Sequence, residues 1–490
     1  MFRSGELGRT DRERLLKHGF LQQVMRGWLI SSNPGTLPGD TTPWYASFWE
    51  FCARYCAERF GADWHLSPEQ SILLQTEATA IPAQVIVYTP HGKRNTIDLL
   101  FGTSLYDLEH DPMPPEADLT TRYGLRLYSL PAALIKVSAS FFARFPVESH
   151  VALATIRDAS DVLTRLLAGG HSVVAGRLAG AFRRVGRDDI ADEIVATMEA
   201  ADYQVRETDP FAPERPLGEI RPRSAPIVGR LEAMWQGFRE TILTAFAPLR
   251  PAQLDAAAYL RHVDEIFVSD AYHSLSIEGY RVTAQLIERV RTGRWHPERQ
   301  VDDRLDRDAL AARGYWQAFQ AVKESVRRVL EGEPAGALAR TAHGEWYREL
   351  IQPFVAAGVL PASALAAYRN DAVYLRGSRH VPPRWEVVRD AMPKLFDMLD
   401  QEAEPAVRAV LGHWLVGYIH PYPDGNGRVA RFLMNVMLAS GGYPWTIIRV
   451  EDRDAYLAAL EEASVNGGIE PFASFVAERV RWSMESAADS

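Results

Sequence analysis

The stretch HPYPDGNGRVAR, residues His420 to Arg431, joins two apolar segments and decides how the C-terminal half of this chain is read. Before it, EPAVRAVLGHWLVGYIH sets Val407, Val410, Leu411, Trp414, Leu415 and Tyr418 at helical spacing. After it, RVARFLMNVMLASGG does the same with Val429, Phe432, Leu433, Val436 and Met437, and stops at Gly441 and Gly442. The spacing predicts two buried helices with a glycine-rich loop at the N-terminus of the second. Such a site attracts anions, because the first-turn amides lack helical partners and the dipole is positive there. Gly425 and Gly427 let the backbone come close to a phosphate and adopt positive φ. Arg428 falls in the first helical turn, where a cation opposes the dipole and a bound anion is the natural counter-charge. Arg431, one turn on, can face the same polyphosphate. Asp424 is a hard oxygen ligand suited to magnesium. His420 can take a proton from a hydroxyl, and Asn426 can hydrogen-bond a phosphate oxygen without adding charge. Asp-Gly or Asn-Gly alone is an ordinary turn signal; a histidine, a carboxylate, two glycines and two arginines at this spacing point to phosphate chemistry. No GxxxxGK[ST] loop occurs, so nucleotide use does not run through that motif.

Outward from the loop, the rest of the chain sets bounds. At 490 residues it exceeds what one core usually serves, which predicts two or three domains. A net charge of −9 argues against general nucleic-acid or membrane binding. The two cysteines, Cys52 and Cys56, lack a second pair and read as structural thiols in a reducing compartment. The charged start, DRERLLKHGF, lacks the apolar run of a signal peptide, and no stretch reaches membrane-spanning length; both predict a cytoplasmic protein.

Composition divides the chain into four regions. Residues 1–145 read as a winged-helix-like α+β region. Leu15, Leu16, Phe20, Leu21 and Val24 recur at helical spacing before the strand-like RGWLIS. QVIVYTPHGKRNTIDLLFGT alternates around a Pro-Gly turn and reads as a hairpin, and LRLYSLPAALIKVS reads as a further strand. Residues 146–205 read as helical, and 206–226, with Pro210, Pro213, Pro216, Pro222 and Pro226, as a semi-rigid linker. From 227 to 490 nearly everything reads as helix. A DNA-binding role for residues 1–80 would need Arg12, Arg14, Lys17 and Arg26 on one exposed face. His343, His380 and His413 read as packing or surface groups.

The loop resembles the signature of the Fic family, HPFx[DE]GNGRxxR, with Tyr422 in place of phenylalanine. The resemblance extends over about 227–485. It implies a mainly α core with a small β-hairpin flap, and transfer of AMP from ATP to a Ser, Thr or Tyr hydroxyl of a protein, with Mg2+. By motif position, His420 is the base, Asp424 holds the metal, and Asn426 with the amides of Gly425 and Gly427 stabilises charge on the α-phosphate. Arg428 and Arg431 bind further along the polyphosphate. A glycine at 427 favours AMP transfer, since the phosphorylating Doc branch has lysine there. RGSRHVPP, with Arg376, Gly377, Ser378, Arg379 and His380, resembles the flap that pairs with a target's main chain as an added strand. SLSIEG resembles the family's inhibitory motif: Ser274, Glu278 and Gly279 match, and Glu278 paired with Arg431 would withhold that arginine from the γ-phosphate. De-AMPylation, or transfer of another phosphate-containing group, is the alternative within the family. LLKHGFLQQVMRGWLI resembles the winged helix of AbiEi-type antitoxin regulators, which implies a DNA-binding regulator of toxin–antitoxin type. Expected partners are ATP, a protein substrate, other copies of the chain as substrate or oligomer, and DNA at residues 1–80.

Overall fold

The computed structural model describes residues 1–35, 39–211, 225–251, 255–294, 307–365 and 368–488. Most of the proline-rich stretch 206–226, with Pro213, Pro216 and Pro222, lies outside the described residues. The chain divides into two compact units. One is Met1–Gly237 with Tyr374–Val381, and the other is Phe238–Val373 with Pro382–Ser490.

In the first unit, strands β1 (Phe2–Arg3), β2 (Leu21–Met25) and β3 (Trp28–Ser31) form an antiparallel sheet in the order β1-β3-β2. The helix between β1 and β2 ends at Lys17, and Gly19 follows with φ +74°. Leu21 and Val24 are thus strand residues, against the helical spacing of the sequence. The pairing of β2 with β3 shifts register between Gln23 and Met25, and this bulge turns two positions three apart to the same buried side. Helix Thr42–Phe60 lays Trp44, Phe48, Phe51, Cys52, Tyr55 and Cys56 into an apolar core with Trp28 and Trp64. Both thiols are free, and burial pushes them up, so they act as small apolar side chains.

The second sheet contains β4 (His65–Leu66), β5 (Gln84–Thr89), β6 (Asn95–Asp98) and β7 (Ser104–Glu109) in the order β4-β5-β7-β6. β5 runs parallel to β7 and β6 antiparallel to it, so β5 and β6 do not pair as the expected hairpin. Asp107 on β7 accepts the main-chain N–H groups of Lys93 and Asn95 at 2.8 and 3.0 Å, which pins the intervening turn to the central strand. LRLY forms β9 (Leu125–Tyr128), paired with β8 (Leu119–Arg122), but PAALIK is helix Leu130–Lys136. Pro131 in the first turn is pre-set for helix, and alanine and leucine propagate it. Helices Ala139–Arg144, Pro146–Thr155, Ser160–Gly169, Ser172–Arg184 and Asp188–Ala200 follow.

Residues 374–381 contain a turn, with Ser378 N–H donating to Leu375 O, and no hairpin of their own. Their strand-like pairing is with residues 79–81. His380 bridges Ala80 antiparallel, Ile81 N–H donates to Arg379 O, and Val381 N–H donates to Thr79 O, both at 2.9 Å. The Arg379 guanidinium adds two bonds to Ile81 O, buried His380 meets Thr79 Oγ1 at 3.0 Å, and Tyr374 and Val381 pack on the same core as Ile81.

The second unit is helical, as read. Helix Arg307–Leu330 packs on Ala335–Ala356, and Pro405–Ile419 on Asn426–Ala439. Trp346, Trp414 and Trp445 are fully buried. Trp445 Nε1 and Tyr315 OH both donate to buried Asp270, at 3.2 and 2.6 Å. Burial lifts that carboxyl to about 6 against those bonds. Among the described residues, no helix is long and apolar enough to cross a membrane.

Candidate active site

The two helices around the glycine loop meet as the sequence predicts. His420 caps helix Pro405–Ile419 and is itself left-handed, with φ +51° and ψ +59°. Its Nδ1 lies 3.3 Å from Gly417 O, which assigns the proton to Nδ1 and leaves Nε2 as acceptor. Burial pushes the imidazole down to about 4, so it is neutral at physiological pH.

The loop is braced from inside. Asn426 Oδ1 accepts Tyr422 N–H and Asn426 Nδ2 donates to Tyr422 O, both at 2.8 Å. This amide thus shapes the turn through its oxygen and one of its two N–H donors. Gly425 takes φ +79°, while Gly427 is helical, so only the first glycine is needed for its conformation. Gly427 serves close approach instead: a Cβ there would sit 2.3 Å from Glu278 Oε1. Asp424 holds Gly425 N–H through Oδ1 at 2.6 Å, and its side chain is more than half exposed.

Two arginines follow. Arg428 is 1% exposed, its Nη2 is 3.3 Å from Asp424 Oδ2, and its guanidinium lies over Tyr280 at 5.5 Å. Its Nε and Nη1 are buried without a hydrogen-bond partner among the described residues. Buried donors left unmet on a cation, at a helix N-terminus, are what an incoming anion would satisfy. Arg431 is already engaged. Its Nη2 donates to Glu278 Oε1 at 2.7 Å and to Ser274 O at 3.1 Å, and its Nε donates to Ser274 Oγ at 2.9 Å. Burial works against this guanidinium's charge, but the Glu278 carboxylate outweighs it and raises the group. Glu278 caps helix Ala256–Ile277, and Gly279 turns the chain away at φ +88°. The structure thus brings together His420, Asp424, Gly425, Asn426, Gly427, Arg428, Arg431, Ser274 and Glu278. The segment Arg376–His380 belongs to the other compact unit.

Tyr422 stacks on Tyr347 with ring centroids 3.9 Å apart and 7° between planes. Its hydroxyl is buried with no partner among the described residues, against the expectation that it would find one. Tyr422→Phe should therefore stabilise the protein by about 1 kcal/mol and raise its unfolding midpoint by roughly 2–4 °C in calorimetry. His413 is a packing histidine, bonded to Tyr456 OH at 2.7 Å, and burial pushes it down to about 3. Sequence reasoning passed over Tyr280, next to the inhibitory motif, and Arg369, which carries no local signal.

A donor set for magnesium can be tested on these residues. No cluster of three or more metal-ligating side chains occurs among the described residues, and one exposed carboxylate, Asp424, stands at the helix N-terminus. Magnesium commonly uses one or two carboxylates, with phosphates and water completing the shell, so Asp424 fits an ion that arrives with a nucleotide.

Residues 339–438 match the model of the Fic/DOC family. Over 114 residues the chain is 43% identical to the protein adenylyltransferase Fic of Nematostella vectensis, covering 22% of this chain and 26% of that protein. Over 262 residues it is 28% identical to the protein adenylyltransferase Fic of Drosophila willistoni, covering 53% and 48%. The chain thus spans between about a quarter and about half of the length of these relatives. Among solved structures, Fic-1 from C. elegans aligns over 67% of this chain and 92% of that one, at 20% identity and a TM-score of 0.38. The helical segment that carries the glycine loop is thus similar to the Fic/DOC family.

Proposed function

We propose that this chain is a protein adenylyltransferase held in check by its own Glu278. The observation that carries the reading is the pair of arginines beside the glycine loop: Arg428, with unmet buried donors, and Arg431, occupied by Glu278. ATP would bind with its phosphates against the amides of the helix Asn426–Ala439, Arg428 and, once released, Arg431. His420 Nε2 takes the proton from a Ser, Thr or Tyr hydroxyl of the target. The hydroxyl oxygen bonds to the α-phosphorus, the bond to the bridging oxygen breaks, and pyrophosphate leaves. Asn426 keeps the loop in shape. Asp424 is assigned to Mg2+, which when bound offsets phosphate charge. Target docking is assigned to Arg376–His380, with the target as an added strand. The cytoplasm is the assigned compartment.

The reading is tested with magnesium and ATP labelled at the α- or the γ-phosphate. Label on protein from α-ATP alone is the expected result; label from γ-ATP alone would replace it with phosphoryl transfer. The pH profile adds a second test. A base works deprotonated, so kcat/KM rises with pH through the pKa of the free enzyme's imidazole and then levels. With His420 held near 4, the acid limb should lie about two pH units below that of an ordinary histidine. A limb at pH 6–7 would mean that burial does not depress the base in the working enzyme.

A further inference from the structure

We propose that Arg369 is a positioning residue for the transfer reaction: its guanidinium fixes the left-handed main chain from which His420 presents its imidazole. The inference rests on the adenylyl-transfer reading for the identity of the reaction, and on geometry for the rest. A non-glycine residue at φ +51° is strained and persists only where its surroundings impose it. Here one residue holds three successive carbonyls at that point. Arg369 Nε donates to His420 O at 2.8 Å, its Nη2 to Ile419 O at 3.4 Å, and its main-chain N–H to Pro421 O at 2.8 Å. These include the last carbonyls of helix Pro405–Ile419, where a cation also suits the dipole. The remaining donors reach Asp371 O at 2.9 Å and Pro383 O. The guanidinium therefore ties the base to the two points where the chain leaves for, and returns from, segment 374–381.

Arg369 is 3% exposed and forms no salt bridge with a carboxylate among the described residues. Burial lowers it to about 10, which leaves it charged, and a buried charge without an ion pair is tolerated only when its donors are used in this way. The charges that bear on His420 are Arg369, which disfavours an imidazolium, and Glu278 and Asp424, which favour one.

The test uses the full chain in a Glu278→Gly background, with Arg369→Lys and Arg369→Gln compared by transfer kinetics, by equilibrium binding of Mg-ATP and by crystallography. The expected result for Arg369→Gln is a kcat lower by about tenfold or more, a dissociation constant for Mg-ATP within about threefold, and a His420 main chain that has left the left-handed region. Arg369→Lys, with the charge but not the fork, should fall between. It also serves as the readable variant should the glutamine form fail to fold, with kcat lowered and nucleotide binding kept as its expected result. Unchanged kcat, or kcat and ATP binding lost in parallel, overturns the proposal. If Glu278→Gly transfers no label from either position, the adenylyl-transfer reading fails, and the main chain of His420 still decides the role of Arg369. Release from φ +51° supports positioning, and retention overturns it.

Discussion

Glu278→Gly should raise the transfer of label from α-labelled ATP to protein by roughly ten- to hundredfold over the wild-type chain. The size of the effect reflects what the carboxylate does. It accepts a charge-assisted hydrogen bond at 2.7 Å from a 5%-exposed guanidinium. Such a bond contributes about 1.5–3 kcal/mol net, and each 1.36 kcal/mol is a factor of ten. The Glu278 side chain is 30% exposed, which favours the lower half of that range. Removal acts twice: it frees Arg431 for a phosphate, and it clears the space beside Gly427, where Oε1 stands 2.3 Å from where a Cβ would be. Ser274 still holds Arg431 through Nε and Nη2, so the arginine stays in place rather than collapsing into the gap. Equal labelling of the two proteins at saturating ATP would mean that Glu278 restrains nothing.

His420→Ala, introduced into Glu278→Gly, should lower transfer by about 10²–10⁴-fold, the range for a lost general base. The imidazole is placed for this role by a proton on Nδ1, directed at Gly417 O, and by burial that keeps it neutral. Because the His420 imidazole bonds to Gly417 O and to neither arginine among the described residues, binding of Mg-ATP should change by less than about threefold. The kcat and the nucleotide affinity therefore separate in this variant. A double variant that transfers label as fast as Glu278→Gly would remove His420 from the chemistry and leave the glycine loop as a nucleotide-binding site only.

Much of the site was legible in one twelve-residue stretch and one six-residue stretch. The helix stop, the glycine turn, the arginines one turn apart and the distant carboxylate are short-range patterns, and each residue type has few other uses at that spacing. What escaped was set at longer range. Asn426 reads as a phosphate ligand because its amide suits one, and its second task, bracing the main chain of Tyr422, shows only in the folded loop. Arg369 looks like any surface arginine until Ile419, His420 and Pro421 come to lie against it from fifty residues away. In the N-terminal unit, the alternation in β5 was real, but alternation says nothing about which strand is the neighbour, and Asp107 sends the turn to β7. Leu21 and Val24 share a face through a bulge, which imitates helical spacing over so short a run.

The pairing of residues 374–381 with 79–81 sets the order of the polypeptide against the order of its folded parts. The chain passes from one compact unit to the other after residues 237, 373 and 381, so no single cut yields two self-sufficient pieces. A fragment beginning at Phe238 would carry eight residues whose apolar side chains, Tyr374 and Val381 among them, have lost the core they pack on. A fragment ending at Gly237 would leave Thr79 and Ile81 with an empty strand position. Exchange of N-terminal regions between related chains meets the same constraint. A new N-terminal region must arrive with its own version of Tyr374–Val381, or inherit a loop shaped for its predecessor. The eight residues are in effect a tally stick, split between two stretches of the chain, by which each half is matched to the other.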